Sequence, residues 1–454
     1  MAVLPKVYAA AAVFWLLTRL LVLVHQGAWP WMNAFVVEAA REIVVGDWND
    51  AVRPQLPAVL GVPLVLAGAS EQQTVAVLYV VASLIQFGAF LVLVRALFPD
   101  GLQEQTLALL VFLLVPYDHS IHHYRDIPVV LASAAVFLVS AHFISHMTGG
   151  GRPGPVGSHG SLPLDRRNEM RIGSAHDDTQ AVAVIEARRH RGLVSRSSVL
   201  DVAVVAAVLL LGLWSRGEVL TFVAALIVLA LIVYRRRAAR LALIYSAVAI
   251  VISSGLLLVY EMENVNLAQA WFYTAHTFLD STPDSWLSPE CRADPTENCR
   301  EADGLAYFGP ADLHAGVLAL AMNHPLTTAA KTVRSAWDNL WTLFGPNTST
   351  FPGIIPFVVL ALAFVRPARE LYLKLPLAVW IVAAAVVAET VLPPLSWAPP
   401  HPQYHLQLVL PVVVLVVPIL VALARMPRGR LVALGFLVAN AGLSAFRYTR
   451  YPGY

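Results

Sequence analysis

The chain reads as an all-α integral membrane protein, and three observations carry that reading. Hydrophobic residues fill 58% of its 454 positions. Charged residues fill only 13%, about half the share usual in soluble domains. The apolar runs recur at lengths near the roughly 20 residues that a helix needs to cross a bilayer's hydrocarbon core. No internal repeat and no separate soluble domain of convincing size interrupts them, so 1–454 is expected to form a single polytopic membrane domain. The first apolar run lacks a cleavage pattern of small residues, which predicts a retained span rather than a signal peptide.

Taken in order, the spans are expected near 7–25, 75–98, 104–117, 127–147, 199–214, 218–234, 240–260, 352–366, 375–393, 405–424 and 430–446, about eleven in all. Basic clusters fall at Arg152–Arg196, Arg235–Arg240, Arg366–Lys374 and Arg425–Arg430. With the amino terminus cytoplasmic and the carboxyl terminus outside, every one of these clusters lands on the cytoplasmic side, as the positive-inside rule demands. The protein is therefore expected in the cell (plasma) membrane as a multi-pass chain.

Three connections have substance. The first, 26–74, is an extracytoplasmic loop with interfacial helices. Asn33–Val45 is predicted as a short amphipathic helix whose apolar face draws on Phe35, Val36, Ala39, Ala40 and Ile43, with Gly46 as its stop. The apolar stretch 56–68 is too short for a full span and is expected at the interface. The second, 148–198, opens with three glycines and mixes Pro, Ser and charge, the composition of a flexible cytoplasmic loop. The third, 261–351, is a large extracytoplasmic loop. Its helical pieces are expected at 264–279 and 312–344, and Trp271, Trp286, Trp337 and Trp341 suit the water–lipid boundary. The two cysteines, Cys291 and Cys299, lie in this loop, where a disulfide can persist; two free thiols are the alternative. Asn347-Thr348-Ser349 is a glycosylation sequon on the same side.

Chemistry-bearing residues gather beside the outer span ends. The first loop carries Glu38, Arg41, Glu42, Asp47, Asp50 and Arg53. The turn 116–128 concentrates Asp118, His119, His122, His123, Tyr124, Arg125 and Asp126, more than a plain hairpin requires. A third group, Trp214-Ser215-Arg216-Gly217-Glu218, places Arg216 and Glu218 at a span junction. The histidines could offer nitrogen ligands to a transition metal, but their spacing matches no strong zinc signature. No residue is assigned to a protein-bound metal; a divalent cation held jointly by carboxylates and a substrate phosphate is the cofactor this chemistry admits. Arg19 lies within the first span, where an arginine either snorkels, pairs with another helix or orients a lipid phosphate.

Four motifs, in this order, resemble a known family. Ala39–Trp48 (AAREIVVGDW) resembles the helix and exit of its first outer loop. His123–Leu131 (HYRDIPVVL) resembles its second acidic position, and Leu213–Leu220 (LWSRGEVL) its Arg-x-Glu turn. Pro402–Pro411 (PQYHLQLVLP) looks like its tyrosine-containing entry to a late span. The family is that of the multi-spanning glycosyltransferases that use polyprenyl-phosphate sugars, the GT-C superfamily that includes the protein O-mannosyltransferases. The resemblance implies transfer of a sugar, mannose among the candidates, from a polyprenyl- or dolichyl-phosphate carrier to a glycan, lipid or protein acceptor outside the cytoplasm, with inversion at the anomeric carbon. It implies a carboxylate base early in the first outer loop, assisted by an acid in the next.

On that alignment the first acidic position holds Asn33, which cannot act as a base. The base is then Glu38, or Asp126 alone, or Asp47 or Asp50 on a shifted alignment; otherwise this member lacks the activity. Asp126 and Glu38 are the carboxylates chosen here as catalytic. Arg125, Arg216 and Arg53 are expected to hold the leaving phosphate, which arginine binds bidentately. Asn33, His123, Glu218, Tyr404 and His405 complete the expected substrate contacts. A transporter or flippase of lipid-linked saccharides is the alternative, and a non-catalytic protein of the same fold a third reading. A transporter should show repeats and broken midplane helices. Membrane lipid is the expected surrounding partner, and nothing points to nucleic acid.

Overall fold

The computed structural model describes residues 3–26, 31–46, 55–114, 127–149, 202–215, 219–262, 285–293, 297–308, 322–327, 329–330, 333, 337, 354–391 and 406–450. Among these residues the protein is entirely helical, as expected where lipid leaves no water to satisfy an open backbone. The elements are α1 (Val3–Gln26), α2 (Trp31–Val45), α3 (Gln55–Leu66), α4 (Glu71–Leu97), α5 (Leu102–Leu114) and α6 (Ile127–Gly149). There follow α7 (Val202–Leu213), α8 (Val219–Tyr234), α9 (Arg236–Met262), α10 (Pro289–Ala293) and α11 (Glu297–Phe308). The last five are α12 (Ile354–Phe364), α13 (Arg366–Lys374), α14 (Leu377–Val391), α15 (Val409–Ala424) and α16 (Gly429–Arg450).

Among the described residues, four stretches are long and apolar enough to cross a membrane alone: Glu71–Leu97, Ile127–Thr148, Arg236–Gly255 and Leu406–Ala424. A fifth arises if α13 and α14, bent by 94° at their junction, count as one span. The other apolar helices found there, α3, α5, α7, α8, α12 and the start of α16, are shorter. The segment expected to span at 104–117 is among them, with 13 residues of helix.

The core forms where α4 and α6 pack along each other. Trp15, Phe87, Phe90, Phe112 and Phe137 interlock at its centre, with ring centroids 4.7 Å apart for Trp15–Phe112 and 4.0 Å for Phe90–Phe112. Such contacts matter more than transfer from water here, because lipid tails are as apolar as the side chains. The helix α15 is apolar all round and buried along its length, the mark of a central helix. Local signals set several ends. Ser70 and Gln73 form a reciprocal capping box at the start of α4. Gly46 ends α2 with φ +79°, a conformation that a residue with a Cβ resists.

Contacts between turns sort the residues into two ends. The Tyr8 hydroxyl donates to Gln105 at 2.6 Å, and Arg95 lies over the Tyr8 ring. Glu104 pairs with Arg425 at 3.7 Å. A cavity of about 200 Å³ between the α4–α5 turn, α13 and α15 is lined by Asp100, Glu104, Lys374 and Pro418. Tyr234, ending α8, lies near Ala378 at the start of α14, and the two helices pack together. One end therefore collects Lys6, Arg95, Arg235–Arg237, Arg240, Arg366, Arg369, Lys374, Arg425, Arg428 and Arg430, against only Asp100, Glu104 and Glu370 among the described residues.

Two expectations shift. The basic stretch 366–374, expected only as a cytoplasmic cluster between two spans, is a helix, α13, folded across the end of α14. Its Arg369 donates to the Leu362 and Ala363 carbonyls, satisfying the open end of α12. In the large loop, helical residues at 322–323, 325–327, 329–330, 333 and 337 fall within the piece expected at 312–344, whereas α10 and α11 are polar helices that were not expected. They are clipped together by the Cys291–Cys299 disulfide and by the Ser288 N–H donating to Asp303 at 2.7 Å. The expected piece at 264–279, most of that at 312–344, the sequon at Asn347, Trp271, Trp341 and most of 148–198 lie outside the described residues.

Candidate functional site

The first polar connection forms a small layer at the end opposite the arginines. Val36, Val37 and Ala40 of α2 are buried, so the apolar face runs through Val37, with Ala39 and Ile43 half-buried at its edge. The fit is close. A Cβ on Gly61 of α3 would stand 3.2 Å from the Ala40 Cβ. The opposite face of α2 turns Glu38 and Arg41 outward, and Arg41 reaches Glu71 at the start of α4 at 3.3 Å. Of the two carboxylates expected to be catalytic, Glu38 is thus exposed on the outward face of α2. Asn33 lies in the first turn of α2.

From the start of α3 a long-range contact leads to the third polar group. The Leu56 N–H donates to the Trp214 carbonyl at 3.1 Å. This joins the segment directly after Arg53 to the turn directly before Arg216. The bond uses an amide of the first turn of α3, which has no partner within its own helix. Behind the turn, Gly212 lies so close to α6 and α8 that a Cβ there would stand 2.9 Å from both the Ala135 Cβ and the Val219 Cγ1.

The same turn holds two buried donors, the Trp214 Nε1–H and the Ser215 hydroxyl, that have no hydrogen-bond partner among the described residues. Ser215 is 1% exposed. Leaving such groups unmatched costs about 1–3 kcal/mol each, so their position beside a polar junction marks them as ligand-facing candidates.

A further buried carboxylate comes from α14. Glu389 is 5% exposed and accepts a hydrogen bond from the Gln407 Nε2 at 2.7 Å, with Gln407 itself buried. α14 packs against α6, α8 and α15. Its Glu389 end lies opposite its Ala378 end, and so away from the arginine belt. Gln407 stands two residues after His405. The signal for Glu389 was present in the sequence: it is the one acid in the apolar run 377–391, and an ionisable group inside a span is a functional candidate by default.

Arg19 is buried and does not snorkel. Its guanidinium stacks on Trp15, 3.8 Å from the ring centroid, and donates to the Tyr79 hydroxyl at 3.5 Å. Trp15 is held in turn by its Nε1–H donating to the Ser83 carbonyl at 3.1 Å. Arg53, His123, Arg125, Asp126, Arg216, Glu218, Tyr404 and His405 lie outside the described residues, as do Asp47, Asp50 and the histidines at 119 and 122. The described residues thus join the first and third polar groups through their flanks, and add Trp214, Ser215 and Glu389 to the candidates. Compared with known proteins, the chain matches no family model, no curated protein and no solved structure.

Proposed function

We propose that the protein is an integral membrane glycosyltransferase that moves a sugar from a polyprenyl-phosphate carrier to an acceptor outside the cytoplasm. The observation that carries this reading is the Leu56–Trp214 backbone bond. It ties Leu213–Leu220, one of the four sequence stretches that resemble the GT-C glycosyltransferases, to α3, whose Gly61 packs against Ala40 of a second such stretch, at the end remote from the arginine belt. The buried donors at Trp214 and Ser215 and the buried carboxylate at Glu389 add polar groups suited to an oxygen-rich ligand.

In this reading the arginine belt is cytoplasmic, by the positive-inside rule. The chain crosses the plasma membrane about eleven times, the shorter helices doing so where the bilayer thins or their flanking residues extend them. The site then faces outward, where sugars arrive only on lipid carriers. An acceptor hydroxyl gives its proton to Asp126, with Glu38 the alternative base, and its oxygen attacks the anomeric carbon. The bond from that carbon to the phosphate oxygen breaks, inverting the centre. Charge developing on the departing lipid phosphate is met by Arg125, Arg216 and Arg53, and by the Trp214 and Ser215 donors.

One feature favours the transporter reading, the 94° break between α13 and α14. That break lies among Arg366, Arg369 and Lys374 at the basic end, whereas transporter helices break near the bilayer midplane.

The test uses the full chain in proteoliposomes with radiolabelled polyprenyl-phosphate mannose or glucose and a membrane extract as acceptor. The wild type is expected to release polyprenyl phosphate and label the acceptor. Asp126→Asn should slow this at least about 100-fold, the low end for loss of a general base, while inserting normally. A wild type that consumes neither donor, or an Asp126→Asn variant with full turnover, would refute the assignment.

A further inference from the structure

The hairpin of α8 and α9 carries an arrangement that the transfer reaction does not use. Its turn holds Arg235, Arg236, Arg237 and Arg240, all exposed. Among the described residues no carboxylate forms an ion pair with any of them. Three local features oppose this arrangement. Arg236 and Arg237 occupy the first turn of α9, where the helix dipole disfavours positive charge and acids are absent. Arg236 and Arg240 stand four residues apart, a like-charged pair on one helix face. Arg235 adopts φ +47°, a left-handed conformation uncommon for a residue with a side chain. An anion at the turn reverses the first two penalties at once, since both come from uncompensated positive charge.

The surface running away from the turn indicates which anion fits. On α9 the face that bears Arg236 and Arg240 continues through Leu243 and Ile250, which are 70% and 64% exposed. On α8 the residues leading to the turn, Val228 and Ile232, are 55% and 67% exposed. A free phosphate would use only the arginines. A phospholipid uses both parts, its headgroup on the arginines and its acyl chains along the exposed aliphatic stripe. The buried share of the α9 span is 28%, the lowest of the four long spans, so this stripe is open to lipid.

We infer that the α8–α9 hairpin is a binding site for an anionic phospholipid, with Arg236 and Arg240 holding its phosphate. The site lies at the opposite end from the candidate transfer site and stands whether or not the protein is a glycosyltransferase. It is tested by native mass spectrometry of the full chain in detergent, with phosphatidylglycerol and phosphatidylcholine of matched acyl chains. The wild type should retain phosphatidylglycerol in preference. Arg236→Gln with Arg240→Gln should weaken that retention about 25-fold, roughly fivefold for each charge lost near the surface. Arg236→Lys with Arg240→Lys should keep the preference, which separates loss of charge from loss of fold. Equal retention of the two lipids by the wild type overturns the inference. So does undiminished preference in the glutamine variant, its loss in the lysine variant, or displacement of the lipid by inorganic phosphate.

Discussion

Gly212 offers a quantitative test of how the candidate site is held. A methyl group there would stand 2.9 Å from the Ala135 Cβ and from the Val219 Cγ1. Ordinary carbon contacts are about 3.5–4.0 Å, so α6, α7 and α8 must separate locally by about 0.6–1.1 Å. Overpacking of this kind costs about 1–3 kcal/mol. Against it stands the gain from replacing glycine in a helix, at most about 1 kcal/mol. Gly212→Ala is therefore expected to destabilise by up to about 2 kcal/mol. Gly88, within α4, supplies the control, because a Cβ there meets nothing within 4 Å. Gly88→Ala keeps only the helix term and should stabilise by about 0.5–1 kcal/mol. Adding Ala135→Gly to Gly212→Ala removes one of the two short contacts and should recover part of the loss. Unfolding in mixed micelles by dodecyl sulfate titration reads all four proteins. Equal shifts for Gly212→Ala and Gly88→Ala would show that the helices are not in close contact at Gly212.

Two other expectations concern named contacts. A double-mutant cycle on Glu389→Leu and Gln407→Leu should give a coupling of about 1.5–3 kcal/mol, the range for a hydrogen bond to a charged group; additive single effects would mean the two side chains do not meet. Cys291→Ser, or reduction of the wild type, should remove about 2–3 kcal/mol of constraint from the short loop that the disulfide closes. Limited proteolysis should then cut within 285–308 where the oxidised wild type resists, and identical digestion patterns would count against the clip.

The helices were largely legible because one constraint dominates in lipid: every peptide group must bond within its own helix. Apolar runs such as 127–147 and 405–424 therefore announce elements whose ends the structure moves by only a residue or two. Gly46 was legible as a stop, and the Cys291–Cys299 bridge from the place of both cysteines in one outer loop, with free thiols as the alternative. What escaped depends on partners distant in sequence. α13 is too short for a convincing period, and its charges read first as a topology signal. Glu389 shows as a buried, hydrogen-bonded carboxylate only once Gln407 comes back to it from α15. The donors at Trp214 and Ser215 need the packed turn before their lack of partners has meaning. Of the residues chosen for chemistry, the structure describes Glu38, which is exposed on α2, and the backbone at Asn33.

The bond from Leu56 to the Trp214 carbonyl also bears on the order in which the protein is made. Roughly 160 residues separate its two ends, and synthesis at about 5–20 residues per second takes on the order of 10–30 s to cover them. Throughout that interval α3 has emerged but its anchoring carbonyl does not yet exist. The early polar layer must wait, held only by α2 and α4, until α7 has been inserted. A ribosome stalled before residue 214 would therefore carry a chain whose first helices are in place and whose candidate site is still unfastened.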